Sequence, residues 1–134
     1  STGDIYDSAG GICGSLASND GTCEISNCYS SGSIGYRAGG ICGRFAGNTG
    51  TCIISNCYST CVINDESCGG ICGSYAGYRG NCTITNCYST GGSINKYGGG
   101  ICGNRAFENI FESAFIVGKV LRARLILDTL PFIL

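Results

Sequence analysis

"GGICGSYAGYRGNCTITNCYST", residues 69–90, decides the fold. Edited versions of it start at Gly10 and at Gly39, and "GGGICGN" opens a further copy at Gly98. The isoleucines of "GIC" are Ile12, Ile41, Ile71 and Ile101, at separations of 29, 30 and 30. The cysteines of "NCYS" are Cys28, Cys57 and Cys87, at 29 and 30, and Ile5, Ile34, Ile63 and Ile94 recur upstream. The unit is about thirty residues, present about three and a half times, and a fixed period of that size marks a repeat architecture.

Helix does not suit this unit. Glycine returns every few residues, and each costs a helix about 1 kcal/mol. The runs between glycines are short and rich in Ile, Thr and Tyr, so they read as strands. In "TCEISNCYS", "TCIISNCYS" and "NCTITNCYS", Cys23/52/82 and Ile25/54/84 stay fixed while Glu24, Ile53 and Thr83 vary between them. Fixed alternating with free is the period-2 mark of one buried and one wet face. Strict alternation would then turn Asn27/56/86 inward and Cys28/57/87 outward. A bend at the Asn, which tolerates left-handed backbone angles, reverses that. It turns the cysteines in and leaves Tyr29, Tyr58 and Tyr88 outside as a column.

Short strands separated by glycine turns at constant period predict an all-β fold, a parallel β-solenoid (β-helix) of about four coils. Each strand pairs with its equivalent one coil away, about 4.8 Å along the axis. Four coils would stand about 20 Å tall by that spacing. Ile12, Ile41, Ile71 and Ile101 become one stacking column, and Tyr29, Tyr58 and Tyr88 another. The Gly-Gly before "IC" is expected to supply backbone angles forbidden to side chains. A compact sandwich of hairpins is the rival, and it does not require a constant repeat length as stacking does.

Residues 1–104 form the repeat domain, and 105–134 form a C-terminal apolar cap or oligomerisation segment. In that tail Phe107, Phe111 and Phe115 fall at i, i+4 and i+8, a helical stripe, whereas "FIVGKV" and "RARLIL" read as strands. A cap would cover the strand edges of the last coil. The opposite end shows no comparable cap, which makes strand addition and end-to-end assembly into a homo-oligomer or filament plausible.

The chain holds 134 residues with a formal net charge of −1 and 13% charged residues, so no electrostatic pull toward nucleic acid is expected. No run reaches the roughly 18 apolar residues of a membrane span. The chain starts at Ser1 without initiator Met or signal-like segment, and so reads as a processed product or a fragment.

Twelve cysteines favour a disulfide scaffold in an oxidising compartment, extracellular or at a surface. The alternative is reduced cysteine used as a small buried hydrophobe. Cys61 and Cys68 lie outside the cysteine columns and flank "VINDES", the one lengthened joint, which suggests a bridge clamping that loop. Within a coil, C-x4-C offers Cys23 with Cys28, Cys52 with Cys57 and Cys82 with Cys87 as further candidates, provided the Asn bends the chain. Metal is not expected: Cys68 and Cys72 form the only close C-x3-C pair, and the chain has no His.

The absence of His also removes the commonest general base and the commonest triads. The nine acids form no repeated column or cluster, and no Lys follows the glycines as in a phosphate loop. No catalytic residue and no cofactor is therefore expected. Asn81-Cys82-Thr83 fits an N-glycosylation acceptor.

The unit resembles the GLUG-type repeat, roughly G-G-hydrophobic-x-G followed by G-x-I-x-N-C-Y-x-T-G. Gly10–Gly14 with Gly21–Gly32, Gly39–Gly43 with Gly50–Thr60, and Gly69–Gly73 with Gly80–Gly91 meet it. The likeness covers about residues 3–103 and none of the tail. It implies a β-solenoid module of large surface or secreted proteins, structural or adhesin-like, and no activity. The cysteines in "GIC" and before "xI(S/T)N" depart from that pattern. The functional expectation is a structural or adhesin-like module of an extracellular fibre, filament or surface protein. The alternative is a recognition surface for glycan or ice, with exposed tyrosines stacking on sugars. For ice, the outward Thr ladder is broken by Glu24 and Ile53.

Overall fold

The computed structural model describes residues 1–91, 94, 97–106 and 110–116. Six strands form: β1 Thr22–Ser26, β2 Tyr29–Ser30, β3 Thr51–Ser55, β4 Tyr58–Ser59, β5 Asn81–Ser89 and β6 Ile110–Ile116. They join one parallel sheet in the order β1-β3-β5-β4-β2, with β6 also pairing β5. Among the described residues there is no helix, and none long and apolar enough to cross a membrane.

Register follows the sequence period. Cys23 lies beside Cys52 and Cys52 beside Cys82; Tyr29 lies beside Tyr58 and Tyr58 beside Tyr88. Isolated parallel bridges extend the same correspondence to Gly10, Gly39, Gly69 and Gly99, to Cys13, Cys42, Cys72 and Cys102, and to Ile5 and Ile34. Each repeat thus hydrogen-bonds the repeat that follows it.

Within a repeat the corners are made by left-handed residues. Asn27, Asn56 and Asn86 have φ of 56°, 51° and 51°. Asn visits this region more readily than bulkier residues because its short polar side chain bonds locally. The bend inverts the side-chain alternation, so Cys57 and Cys87 are buried, Asn56 and Asn86 are exposed, and Ser59 and Ser89 point inward again. The buried Ser59 hydroxyl accepts from the Cys61 amide at 3.2 Å, which offsets the cost of burying it.

Three further left-handed columns are less obvious, one of them Ser18, Gly47 and Gly77 with φ of 63°, 68° and 73°. Ser8, Arg37, Ser67 and Tyr97 form a second, and Leu16, Phe45, Tyr75 and Arg105 form a third, both with φ between 55° and 63°. The glycines of the Gly-Gly pairs do not adopt positive φ. Their role is close approach, which corrects the expectation of special backbone angles. A Cβ on Gly40 would run into the Gly70 carbonyl oxygen and the Ser59 side chain, and one on Gly70 into the Gly100 carbonyl oxygen and Ser89.

The core has two parts. The larger joins Ile41, Ile54, Ile71, Ile84 and Ile101 with Ala46, Ala76 and most of the cysteines. The smaller joins Ile5, Ile34 and Ile63 with Ala38, Cys61 and Cys68.

Two expectations change here. The segment read as a helical stripe is a strand over Ile110–Ile116, parallel to β5, with Phe111 at the register of Thr83 and Phe115 at that of Tyr88. The free edge of β5 supplies a row of backbone partners, and that non-local pairing overrides a short helical spacing. Pairing with the repeats thus runs past residue 104. Phe107 and residues 117–134, where the remaining tail strands and the cap were expected, lie outside the described residues.

The second change concerns the cysteines. All twelve are free thiols, so neither the Cys61–Cys68 bridge nor the C-x4-C bridges are formed. Cys61 falls in register with Gly32 and Gly91, and Cys68 with Ala9 and Ala38. They are slightly larger residues in columns of small ones, and both are fully buried as small hydrophobes.

Candidate functional site

The most regular exposed feature is the tyrosine column. Tyr29 and Tyr58 stack at 5.3 Å between centroids and 12° between planes, and Tyr58 and Tyr88 at 5.1 Å and 5°. The parallel register sets the spacing, because identical residues one strand apart must lie about 4.8 Å apart. Tyr29 is 47% exposed and Tyr88 39% exposed, so the ring edges face solvent. Beside them, Asn86 donates from its side-chain amide to the Asn56 side-chain oxygen.

A second edge is aromatic and basic. The Arg44 guanidinium lies 4.2 Å from the Phe45 ring centroid and 5.0 Å from that of Tyr75. Arg79 sits 5.2 Å from the Tyr78 ring. Arg105 lies 5.6 Å from the Tyr75 ring and donates to its hydroxyl at 3.0 Å. These contacts lie on and around the left-handed corner column at Phe45, Tyr75 and Arg105. The cation–π attraction holds bulky residues in a conformation they otherwise disfavour.

The interior holds the chemistry that the spacing did not reveal. Cys13 and Cys23 have sulfurs 3.9 Å apart, Cys42 and Cys52 3.9 Å, and Cys72 and Cys82 3.8 Å. Each pair spans ten residues and crosses the core of one repeat. Cys23, Cys52 and Cys82 therefore face the "GIC" cysteines. Cys28, Cys57 and Cys87 instead donate across the Asn bend to the carbonyls of Ser26, Ser55 and Thr85, each at 3.2 Å. Cys61 donates to Ser30 Oγ at 3.5 Å and Cys68 to the Gly35 carbonyl at 2.9 Å.

Environment separates these thiols. A hydrogen bond from Cys42 lowers the Cys13 thiol to about 6, and Cys42, the donor, is raised well above its usual value. Burial raises Cys23, Cys68 and Cys87 to about 11 each, with the Asp65 charge adding to the effect at Cys68. Among the described residues no three His, Cys, Asp or Glu groups are disposed to hold a metal ion.

The other residues singled out from sequence fall as follows. Ile41, Ile71 and Ile101 are buried, whereas Ile12 is 39% exposed because its repeat is covered on one side only. Asn81 is exposed at the first position of β5, its backbone N–H donating to the Gly50 carbonyl at 2.9 Å. The cysteine pairs had a signal, the constant ten-residue interval. The five-residue interval from Cys23 to Cys28 is equally constant, and only the corner geometry chooses between them. Comparison of the chain with family models, curated proteins and solved structures gives no match.

Proposed function

We propose that this chain is a parallel β-solenoid of GLUG type. It serves as a structural or adhesin-like module of an extracellular or surface fibre that assembles through stacked strands. The observation that carries this reading is the parallel pairing of equivalent residues at separations of 29 and 30 in strands and isolated bridges alike. Coiling of the chain about one axis accounts for that constancy.

Self-assembly draws support from the first repeat. Among the described residues β1 pairs only β3, which leaves its other backbone edge open, whereas beside β2 Ser1 already donates to the Tyr29 carbonyl and accepts from the Ser31 amide, each at 2.9 Å. Ile12 and Leu16 on that repeat are 39% and 47% exposed, while Ile41, one repeat on, is fully buried. A strand of a second copy laid on this edge would extend the sheet and cover both. On this reading the abundant cysteine suits an oxidising, extracellular setting. No catalysis and no cofactor is assigned.

A second reading rests on the tyrosine column. Parallel rings with exposed edges, flanked by amide groups, suit stacking against the apolar faces of sugars, which makes glycan the alternative partner.

Electron microscopy of the protein, oxidised and then reduced, tests the first reading. Filaments with an axial repeat are the expected result. Dispersed monomers in both states would overturn self-assembly and leave the tyrosine face as the functional surface.

A further inference from the structure

The cysteine pairs of the interior each join two positions within one repeat, which neither the stacking of repeats nor the tyrosine face accounts for. Their sulfurs sit at 3.9, 3.9 and 3.8 Å in three successive repeats. A disulfide bond is about 2.05 Å long, so each sulfur has less than about 1 Å to travel, within reach of a small side-chain rotation. Pairing along a column instead would join in-register neighbours whose β-carbons stand about 4.8 Å apart, beyond the roughly 3.5–4.5 Å that a disulfide takes. The thiols of Cys28, Cys57 and Cys87 face backbone carbonyls, and those of Cys61 and Cys68 are engaged with Ser30 and Gly35. In the fourth repeat Ile110 takes the register of Cys82, so three pairs are the full set.

We propose that Cys13–Cys23, Cys42–Cys52 and Cys72–Cys82 are oxidation sites that close three transverse disulfides, with a small-molecule disulfide of the glutathione class as oxidant. At the first pair, the Cys13 thiolate attacks one sulfur of the oxidant. The oxidant's S–S bond breaks and one thiolate leaves. Cys23 loses its proton and attacks the Cys13 sulfur of the mixed disulfide, releasing the second thiolate. Two protein thiols are oxidised, one external disulfide is reduced to two thiols, and two protons end on those leaving groups.

Access orders the reaction. Cys13 and Cys23 are half-buried, whereas Cys42, Cys52, Cys72 and Cys82 are fully buried. The first pair therefore closes in the folded protein, and the inner two close only when the repeats open or as they fold. The low position of the Cys13 thiol, set chiefly by the hydrogen bond from Cys42 and also by that from Cys23, gives it thiolate character at neutral pH.

The test is peptide mapping of the full chain refolded with oxidised glutathione, with remaining thiols alkylated before digestion by trypsin. Cleavage after Arg37, Arg44, Arg79 and Lys96 separates the inner partners. The expected map joins peptide 38–44 to 45–79 through Cys42–Cys52, joins 45–79 to 80–96 through Cys72–Cys82, and shows a Cys13–Cys23 loop inside 1–37. Each bridge removes two hydrogens. Fragmentation that joins 1–37 to 38–44, or that places bridges at Cys61–Cys68 or Cys57–Cys87, overturns the pairing. Alkylation of all twelve thiols overturns the proposal outright. A Cys42→Ser variant should lose only the link to 38–44. Should it not fold, the wild-type map decides alone.

Discussion

Asn56 shows how one residue per repeat sets the face of those that follow. With φ at 51° it reverses the alternation, sending Cys57 into the core and Tyr58 to the surface. A β-branched residue in this backbone region costs roughly 1–2 kcal/mol more than Asn or Gly. Asn56→Val should lower stability by about that much in urea unfolding, while Asn56→Gly should stay within about 1 kcal/mol of wild type. Equal losses in both variants would mean that the side-chain bond from Asn86, not the bend, is what the repeat needs. Phe45 and Tyr75 solve the same backbone problem differently. They accept left-handed φ of 60° and 61°, and ring contacts with Arg44 and with each other at 4.9 Å offset the strain.

At the scale of elements, the distance between neighbouring repeats is set by glycine. Gly40 approaches the Gly70 carbonyl and Ser59 too closely for any β-carbon, whereas nothing lies within 4 Å of a Cβ placed on Gly14. Gly40→Ala should therefore destabilise by about 1–3 kcal/mol through overpacking against backbone. Gly14→Ala should be neutral or stabilising by up to about 1 kcal/mol, because it restricts only the unfolded chain. Thermal unfolding of the two variants checks this; similar midpoints would refute the close-approach role. β6 illustrates the strength of an open edge. Its register on β5 shifts between Thr85 and Cys87, skipping the Asn86 bend, so the pairing continues although the "NCYS" pattern has ended.

For the whole molecule, burial of thiols links stability to pH. Cys23, Cys68 and Cys87 hold their protons to about 11 in the folded chain, against a usual value of 9.0. Between those values the unfolded chain binds fewer protons than the folded one, so stability falls as pH rises. This contribution is fully present below pH 9 and lost by pH 11. The reduced protein should show a urea midpoint that drops steeply over this window, and Cys68→Ala should flatten the drop. A flat profile would mean that these thiols ionise in place.

The sequence by itself determined the period, the strand character and the columns. Parallel pairing one repeat apart brings residue i beside i+29 or i+30, so any constant residue must meet its own copy. Ile41 beside Ile71 and Tyr58 beside Tyr88 were legible for that reason. What only the tertiary structure decided is which columns face each other within a repeat. That depends on corners at Arg37, Phe45 and Tyr75, residues whose type does not announce a left-handed backbone. It is why Cys52 meets Cys42 rather than Cys57, and why Cys61 and Cys68 are packing residues rather than a clamp. The stretch 110–116 departs from its helical spacing for a related reason. A helical spacing is a local preference, and the free edge of β5, a non-local partner that no short window contains, outweighs it.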